Sequence, residues 1–239
     1  MKIYKQKGYV GREIGPIMSS RSTCFEVSTA EGSDVVGLRN RNSLIRDVEI
    51  EIIDCVSQIK EDPLFILGSV EFIEMYIGDI KPDYYPDWLS GFMRREILAW
   101  VGGETRYFAK PSKYKRFKAG IFKGKYIQRL DYLNNSIITE VVNFVDEWRY
   151  YVADGKVLTS WWYQGNEETC ENNPNGPSIN HLPIPEDFCG TIDMGLLDTG
   201  ELALVECHHP YAIGWYGDQN DIENYINFLI KGFKYLKTQ

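Results

Sequence analysis

The chain has 239 residues, of which 44% are hydrophobic and 25% charged, a composition typical of a folded protein with one large domain or a few small lobes. Its formal net charge of -8 disfavours a nucleic-acid partner, because holding a nucleic-acid backbone needs a basic surface. The five cysteines are scattered without a CxxC pair, which favours a reducing, cytoplasmic location. No apolar run approaches the roughly 20 residues that span a bilayer, and residues 1–15 lack a signal-peptide core, so we expect a cytoplasmic protein without a membrane partner.

The first hundred residues predict an α/β unit. The segment Glu49–Ile59 has apolar positions that fit either a helix or a strand. Pro63–Leu67 is a continuous apolar run, typical of a buried parallel strand. Ser69 follows it and can cap a helix that begins there. Residues 81–88 hold two prolines, which predict a loop.

A basic cluster follows the next predicted strand. Arg106–Lys110 reads as a strand that ends at Pro111. The loop after it carries the four basic residues Lys113, Lys115, Arg116 and Lys118. Such a cluster is either a solvated face or, at a strand end, a place where α/β folds bind ligands.

The second half predicts antiparallel hairpins. Asp154-Gly155 is a two-residue hairpin signal between two strand-like runs. The segment Tyr163–Gly190 is rich in Asn, Pro and Gly, so it is either functional or mobile. Residues 191–208 predict a second hairpin, and residues 221–236 predict an amphipathic helix. The predicted fold class is therefore α+β.

Two acidic residues are predicted to face each other across the second hairpin. With an even loop at Thr199-Gly200, Asp193 pairs with Glu206 on one face, whereas a three-residue loop would place them on opposite faces. Like charges this close indicate a bound cation, and hard cations such as Mg²⁺ prefer carboxylates. His208 shares the face of Glu206, while Cys207 and His209 point away.

Three other interpretations of this hairpin stay open. Asp193 and Glu206 could be two solvent-facing acids. A zinc site could use Cys207, His208, His209 and either Cys189 or Cys170, although the spacing fits no common zinc pattern. A Cys/His nucleophile pair is disfavoured, because neighbouring residues on a strand diverge.

A site for phosphates needs cations opposite the metal. Lys110, Lys118 and Arg149 are the candidates, and Glu147 shares a strand face with Arg149. The sequence has neither a Walker A loop nor a GxGxxG motif, so side chains rather than a glycine-rich loop would hold the phosphates.

These segments together resemble the ATP-grasp superfamily. The resemblance rests on a strand that ends in "FAKP", the segment "TEVVNFVDEWRYYV" and the spacing "D-x12-E-x-H". It is nearest to a small clade found in phages and bacteria. The segment "FILGSVEFIEMYI" of this chain also resembles the N-terminal region of that clade. The resemblance spans roughly residues 60–217.

The resemblance implies a nucleotide site. Lys110 would touch the ATP phosphates, together with Lys118 or, as an alternative, Lys115. The linker residues Glu140, Val141 and Val142 would offer backbone groups to adenine, and Glu147 would bind the ribose hydroxyls.

The resemblance also implies a metal site with two departures from the family. Asp193 and Glu206 match the acids that bind Mg²⁺, but His208 stands where the family usually has Asn. Either His208 binds a softer ion such as Mn²⁺, or it touches a phosphate or substrate, or turnover has been lost. Thr191 stands where many members have Arg, so Arg149 would face the transferred phosphoryl group or the acyl substrate.

The implied architecture is an ATP-grasp fold with an N-terminal α/β lobe (residues 1–100) and an ATP-grasp domain (residues 101–239). The ATP-grasp domain would divide into a central lobe at about 101–140 and a C-terminal lobe at about 141–239, with ATP bound between these two lobes. The segment Tyr163–Gly190, preceded by Trp161 and Trp162, would lie on the substrate side, although these aromatic residues could equally be core.

The implied function is a ligase that uses ATP and Mg²⁺ to join a carboxylate to an amine or thiol through an acyl phosphate. Its substrate would be a small anionic or carboxylate molecule, with a peptide or protein acceptor as an alternative. Two rival functions are a nucleotide-binding sensor or interaction module without turnover, and a phosphotransferase on the same fold.

Overall fold

The structure is a computed structural model that describes residues 2–12, 23–30, 33–40, 48–78, 80, 83–112, 117–129 and 136–239. The described residues form three β-sheets, of five, three and four strands. The α+β prediction is confirmed. Within the described residues no helix is both long and apolar enough to cross a membrane.

The first sheet occupies the N-terminal part of the chain. Its strands lie in the order β2-β3-β4-β1-β5, and β1 is parallel to both β4 and β5. The strands are β1 (Lys2–Gln6), β2 (Thr23–Ala30), β3 (Ser33–Asn40), β4 (Val48–Ile53) and β5 (Phe65–Leu67). The buried parallel strand predicted at Pro63–Leu67 is confirmed, and the ambiguous segment Glu49–Ile59 is a strand followed by a 3-10 turn at Val56–Gln58.

The helix predicted after Ser69 is confirmed as α1 (Val70–Ile77). The Ser69 hydroxyl accepts the N–H of Phe72 at 3.2 Å, which satisfies one of the open donors at the helix start. The predicted loop holds for residues 83–86, and a 3-10 helix then begins at Asp87 and runs to Phe92. Residues 81 and 82 lie outside the described residues.

The second sheet is small. Its order is β7-β6-β8, with β6 (Arg106–Pro111) in the centre, β7 (Gly120–Lys123) and β8 (Ser136–Thr139), and α2 (Gly124–Arg129) follows β7 directly. Pro111 still pairs with Ser136, so β6 runs one residue beyond its predicted end. Of the basic cluster, Lys113, Lys115 and Arg116 lie outside the described residues.

The third sheet is antiparallel, in the order β10-β9-β11-β12. Its strands are β9 (Phe144–Ala153), β10 (Lys156–Gly165), β11 (Gly190–Leu197) and β12 (Leu202–His208). Asp154 and Gly155 have φ values of 50° and 66°, the left-handed pair that a type I′ hairpin requires, so this predicted turn is confirmed.

The long segment between β10 and β11 covers the back of the third sheet. It begins with α3 (Glu167–Asn172) and then crosses the face formed by Trp148 and Tyr150. The Trp148 indole donates to the Asn173 carbonyl at 3.1 Å, and the Tyr150 hydroxyl donates to the Pro177 carbonyl at 2.6 Å. These bonds connect a segment without periodicity to the third sheet.

The last helix, α4 (Ile222–Leu236), joins the first and third sheets. Its buried side chains pack in one cluster with Ile3 and Phe65 of the first sheet and Tyr151 of the third. The predicted amphipathic helix is confirmed. The division into lobes at about residues 100 and 140 stays a prediction.

Candidate functional site

A cleft of about 1170 Å³ opens where the three sheets meet α1. Its walls come from the start of α1, the Tyr84–Tyr85 segment, the end of β6, the linker before β9, and the ends of β9 and β12. It brings together nine of the predicted site residues: Lys110, Lys118, Glu140, Val141, Val142, Glu147, Arg149, Glu206 and His208. The tenth, Asp193, is fully buried behind Arg149.

Asp193 pairs with Glu206 as predicted, but by a different route. The turn is a three-residue loop at residues 198–200, closed by the N–H of Leu197 on the Glu201 carbonyl at 2.9 Å. This loop slips the register by one, so Met194 pairs with Leu204. An extra residue, Val205, then forms a β-bulge that restores the pairing of Asp193 with Glu206.

The bulge corrects the predicted faces of β12. Alternation along β12 predicts that Leu202 and Leu204 share the face of Glu206. Instead they lie on the other face of the sheet, against a cluster that includes Trp148, Tyr150 and Ile192 and that we call the back cluster. Glu206 and His208 face the cleft. Cys207 turns into the back cluster as predicted. The prediction for His209 is wrong, because this residue also lines the cleft.

Asp193 is held by Arg149. Residues 149 and 193 lie opposite each other on β9 and β11, and the guanidinium donates to both carboxylate oxygens, at 2.8 and 2.6 Å. Burial works against the Arg149 charge, but the Asp193 carboxylate outweighs it and raises the pKa of Arg149 well above its ordinary value. The pair is a bidentate contact in a nearly dry position.

Glu206 lies between Lys110 and His208. One carboxylate oxygen accepts a hydrogen bond from Lys110, and the other lies 2.7 Å from Nε2 of His208. Burial disfavours the Glu206 charge, but His208 and Lys110 outweigh it and hold the pKa of this carboxyl well below its usual range. The Lys110 ammonium also lies 3.4 Å from the centre of the Tyr84 ring, a cation–π contact.

Asp193, Glu206 and His208 fit a divalent cation. Each offers one ligand atom, and the three atoms lie within 4.8 Å of one another. Two carboxylates suit a hard ion, and the imidazole suits a softer one. Among the described residues no other such group of His, Cys, Asp and Glu occurs.

The zinc and nucleophile alternatives are not supported. Cys207 is buried in the back cluster, on the other face from His208, and burial raises the pKa of its thiol well above the ordinary value. Cys189 lies at the distant Asp154 turn, where its sulfur accepts the Asp154 N–H at 3.3 Å.

Glu147 and Lys118 lie on other walls of the cleft. Glu147 accepts hydrogen bonds from the Tyr163 hydroxyl and from the Gln164 amide, the latter at 3.3 Å, and burial raises the pKa of its carboxyl. Lys118 is exposed at the cleft mouth. The long segment predicted to lie on the substrate side supplies Tyr163 and Gln164 alone to the cleft wall, because residues 166–189 cover the opposite face.

The sequence reasoning missed several residues of the cleft. Tyr84 and Tyr85 lie in the segment predicted as a plain loop, yet both approach Lys110. Arg95 also lines the cleft and bonds to β12. Two adjacent tyrosines in a proline-rich loop were the available signal for the first two, and no local signal indicated Arg95.

One protein-family model matches the sequence, the ATP-grasp domain of R2K clade family 2, over residues 92–226. A comparison with curated proteins gives no match.

Solved structures with a similar chain course include two ligases and a macrocyclase. A RiPP-associated ATP-grasp ligase from Chryseobacterium gregarium, in complex with ADP and a leader and core peptide, is 11% identical, with 95% of this chain and 96% of that chain covered and a TM-score of 0.41. The D-alanine–D-alanine ligase from Bacillus anthracis, complexed with ATP, is 11% identical, with 100% and 99% covered and a TM-score of 0.44. The macrocyclase MdnC from Microcystis aeruginosa, bound with precursor peptide MdnA, is 6% identical, with 95% and 98% covered and a TM-score of 0.38.

Proposed function

The chain belongs to family 2 of the R2K clade of ATP-grasp domains, and from this premise we propose an ADP-forming ligase that joins a carboxylate to an amine or thiol. Membership of an ATP-grasp family supports an ATP-dependent ligase. The observation that carries the proposal is one cleft in which Lys110 and Arg149 meet Glu206 and His208, with the third candidate ligand, Asp193, directly behind Arg149.

ATP would lie along the cleft with its phosphates toward β12. Lys110 and Lys118 would bind the phosphate oxygens, since both lie on the cleft wall with an ammonium group available for several acceptors. The backbone of Glu140, Val141 and Val142 would receive adenine, and Glu147 would accept hydrogen bonds from the ribose hydroxyls. This assignment is supported by the fact that all four residues line the cleft.

Asp193, Glu206 and His208 would hold the divalent cation, whose charge would offset that of the phosphates. Mg²⁺ is the proposed ion because two of the three ligands are carboxylates. The imidazole of His208 makes Mn²⁺ the better match for the third position.

The proposed reaction has two steps. A substrate carboxylate oxygen attacks the γ-phosphorus of ATP, which forms an acyl phosphate and releases ADP. An amine or thiol then attacks the acyl carbon and releases inorganic phosphate, with loss of the nucleophile's proton. Arg149 would contact the transferred phosphoryl group or the acyl oxygen, because its guanidinium reaches the cleft beside Asp193.

The substrate and location are also proposals. The cationic side chains at the centre of the cleft favour a small anionic or carboxylate substrate, and the volume of 1170 Å³ leaves room for a peptide acceptor. The free thiols at Cys55, Cys170, Cys189 and Cys207 support a reducing, cytoplasmic location.

ADP release tests the proposal. The protein is incubated with ATP, Mg²⁺ or Mn²⁺ and a pool of carboxylates and amines. We expect substrate-dependent ADP release that falls by roughly a hundredfold or more in Asp193→Asn, because this change removes a charged metal ligand. The matched control is Asp198→Asn, an exposed loop residue that contacts Asn143 at 3.2 Å and lies outside the cleft.

Other outcomes point to the rivals. ATP binding without turnover under either metal supports the sensor or interaction module, and phosphate transfer to a hydroxyl supports the phosphotransferase. No ATP binding at all contradicts the proposal.

A further inference from the structure

Arg95 holds the β-bulge of β12 from outside the sheet. Its Nη1 donates to the Leu204 carbonyl at 2.9 Å, and its Nη2 donates to the Val205 carbonyl at 2.7 Å. These two carbonyls flank the point where Val205 interrupts the ladder. A bulge leaves backbone groups without a ladder partner, so a fork of two donors there sets its geometry.

A second hydrogen bond holds β12 on the C-terminal side of Glu206. The Cys207 N–H donates to the Tyr84 carbonyl at 2.9 Å. The segment Tyr84–Arg95, which we call the clasp, therefore bonds to β12 both before and after Glu206. The residue between these contacts is the one whose carboxylate faces Asp193.

The guanidinium of Arg95 is itself fixed in place. Its carbon lies 5.4 Å from the ring centres of Tyr85 and of Phe144, and the Tyr85 hydroxyl accepts from Nη2 at 3.3 Å. Two aromatic rings and three acceptors leave the planar fork little freedom. Arg95 thus reaches the bulge already oriented.

The bulge decides which face Glu206 occupies. If the register of Met194 and Leu204 continued unbroken, Val205 would lie opposite Asp193 and Glu206 would turn toward the back cluster. We propose that Arg95 is a positioning residue for the divalent-cation site: by bonding to Leu204 and Val205 it holds Glu206 in register with Asp193. This inference rests on the proposed function.

Metal binding by the folded protein tests the inference. Mn²⁺ affinity is measured by electron paramagnetic resonance in the presence of a non-hydrolysable ATP analogue. We expect Arg95→Gln to weaken Mn²⁺ binding roughly tenfold or more, as for other residues that orient metal ligands. The matched control is Arg94→Gln, whose arginine is exposed, lies 3.5 Å from Glu201 and contacts no bulge carbonyl.

A milder variant and a second measurement guard against simple unfolding. Arg95→Lys keeps the charge but cannot donate as a fork to two carbonyls, so its Mn²⁺ affinity is expected between those of the wild type and Arg95→Gln. Amide hydrogen exchange of residues 204–208 should rise in both Arg95 variants and not in Arg94→Gln. A lowered melting temperature with unchanged Mn²⁺ affinity of the folded fraction would mean a merely structural role and overturn the inference.

Different results would contradict the positioning role of Arg95 and the proposed ligase function. Mn²⁺ binding that is lost in Asp193→Asn but unchanged in Arg95→Gln overturns the positioning role alone. A wild-type protein that binds no Mn²⁺ with the ATP analogue overturns the proposed function, and the positioning role with it.

Discussion

Lys110 and Arg149 each neutralise one of the two candidate metal carboxylates. Lys110 bonds to Glu206, and Arg149 bonds to Asp193. When ATP and a divalent cation bind, these ion pairs would be replaced: the basic side chains would bind phosphate oxygens, and the carboxylates would bind the cation. Nucleotide and metal should therefore bind together more tightly than either binds alone.

The variant Lys110→Met is expected to have opposite effects on the binding of metal and of nucleotide. Without the ammonium, Mn²⁺ no longer competes with Lys110 for the Glu206 carboxylate. Mn²⁺ alone should therefore bind more tightly to this variant than to the wild type. The ATP analogue alone should bind about ten- to a hundredfold more weakly, because a hydrogen bond to a charged group contributes roughly 1.5–3 kcal/mol. Isothermal titration calorimetry with each ligand alone measures both effects.

Lys118→Met is the contrast variant for this exchange. Lys118 lies at the cleft mouth and is exposed, so its loss should weaken nucleotide binding and leave the affinity for Mn²⁺ alone unchanged. An unchanged Mn²⁺ affinity in Lys110→Met as well would contradict the exchange of partners.

At the scale of elements, the hairpin of β11 and β12 packs closely against Phe144 on β9 at Gly195. A Cβ atom at Gly195 would lie 2.2 Å from Cδ1 of Phe144, well inside van der Waals contact. Phe144 in turn provides one of the two rings beside Arg95. The glycine is thus needed for close packing, and it links the hairpin to the clasp.

Gly195→Ala should destabilise the fold by about 1–3 kcal/mol, the usual cost of an overpacked position. The control is Gly91→Ala, where an added Cβ has no atom within 4 Å and should be nearly neutral. Urea denaturation compares the two. A Gly195→Ala protein as stable as the wild type would mean that Phe144 moves aside without cost.

At the scale of the whole molecule, α4 connects the first sheet to the third. Phe228 is fully buried, and its ring lies 5.3 Å from that of Tyr151 on β9. The same cluster includes Ile3 and Phe65 of the first sheet. One helix face therefore contributes to the burial of two sheets at once.

Phe228→Ala should destabilise the protein by about 3–5 kcal/mol, as expected for removal of a buried ring. Because both sheets share the cluster, we expect a single unfolding transition by circular dichroism and by tryptophan fluorescence. Lys234→Ala on the exposed face of α4 serves as the control. Two separate transitions in Phe228→Ala would show that α4 does not couple the sheets.

The predictions that succeeded rest on local signals. The Asp154-Gly155 turn follows from two residues that tolerate positive φ, and the strand at Phe65–Leu67 with its Ser69 cap follows from an apolar run and one hydroxyl. Lys110, Arg149 and Glu206 line one cleft, as charged residues do when the strands that carry them meet there, and their roles in binding and catalysis stay a prediction. The family resemblance from these motifs is confirmed by the family match.

By itself the sequence determined the fold class, the family, the alternation that places Glu147 and Arg149 on one face of a strand, and the spacing of Asp193 from Glu206. The tertiary structure decided how that spacing is used. A three-residue loop slipped the register, and one bulge corrected it, held by Arg95 from 109 positions away in the chain. Register and bulges depend on contacts between distant segments, so no local pattern encodes them. For the same reason Tyr84, Tyr85 and the back-face path of residues 166–189 became visible only in the folded chain.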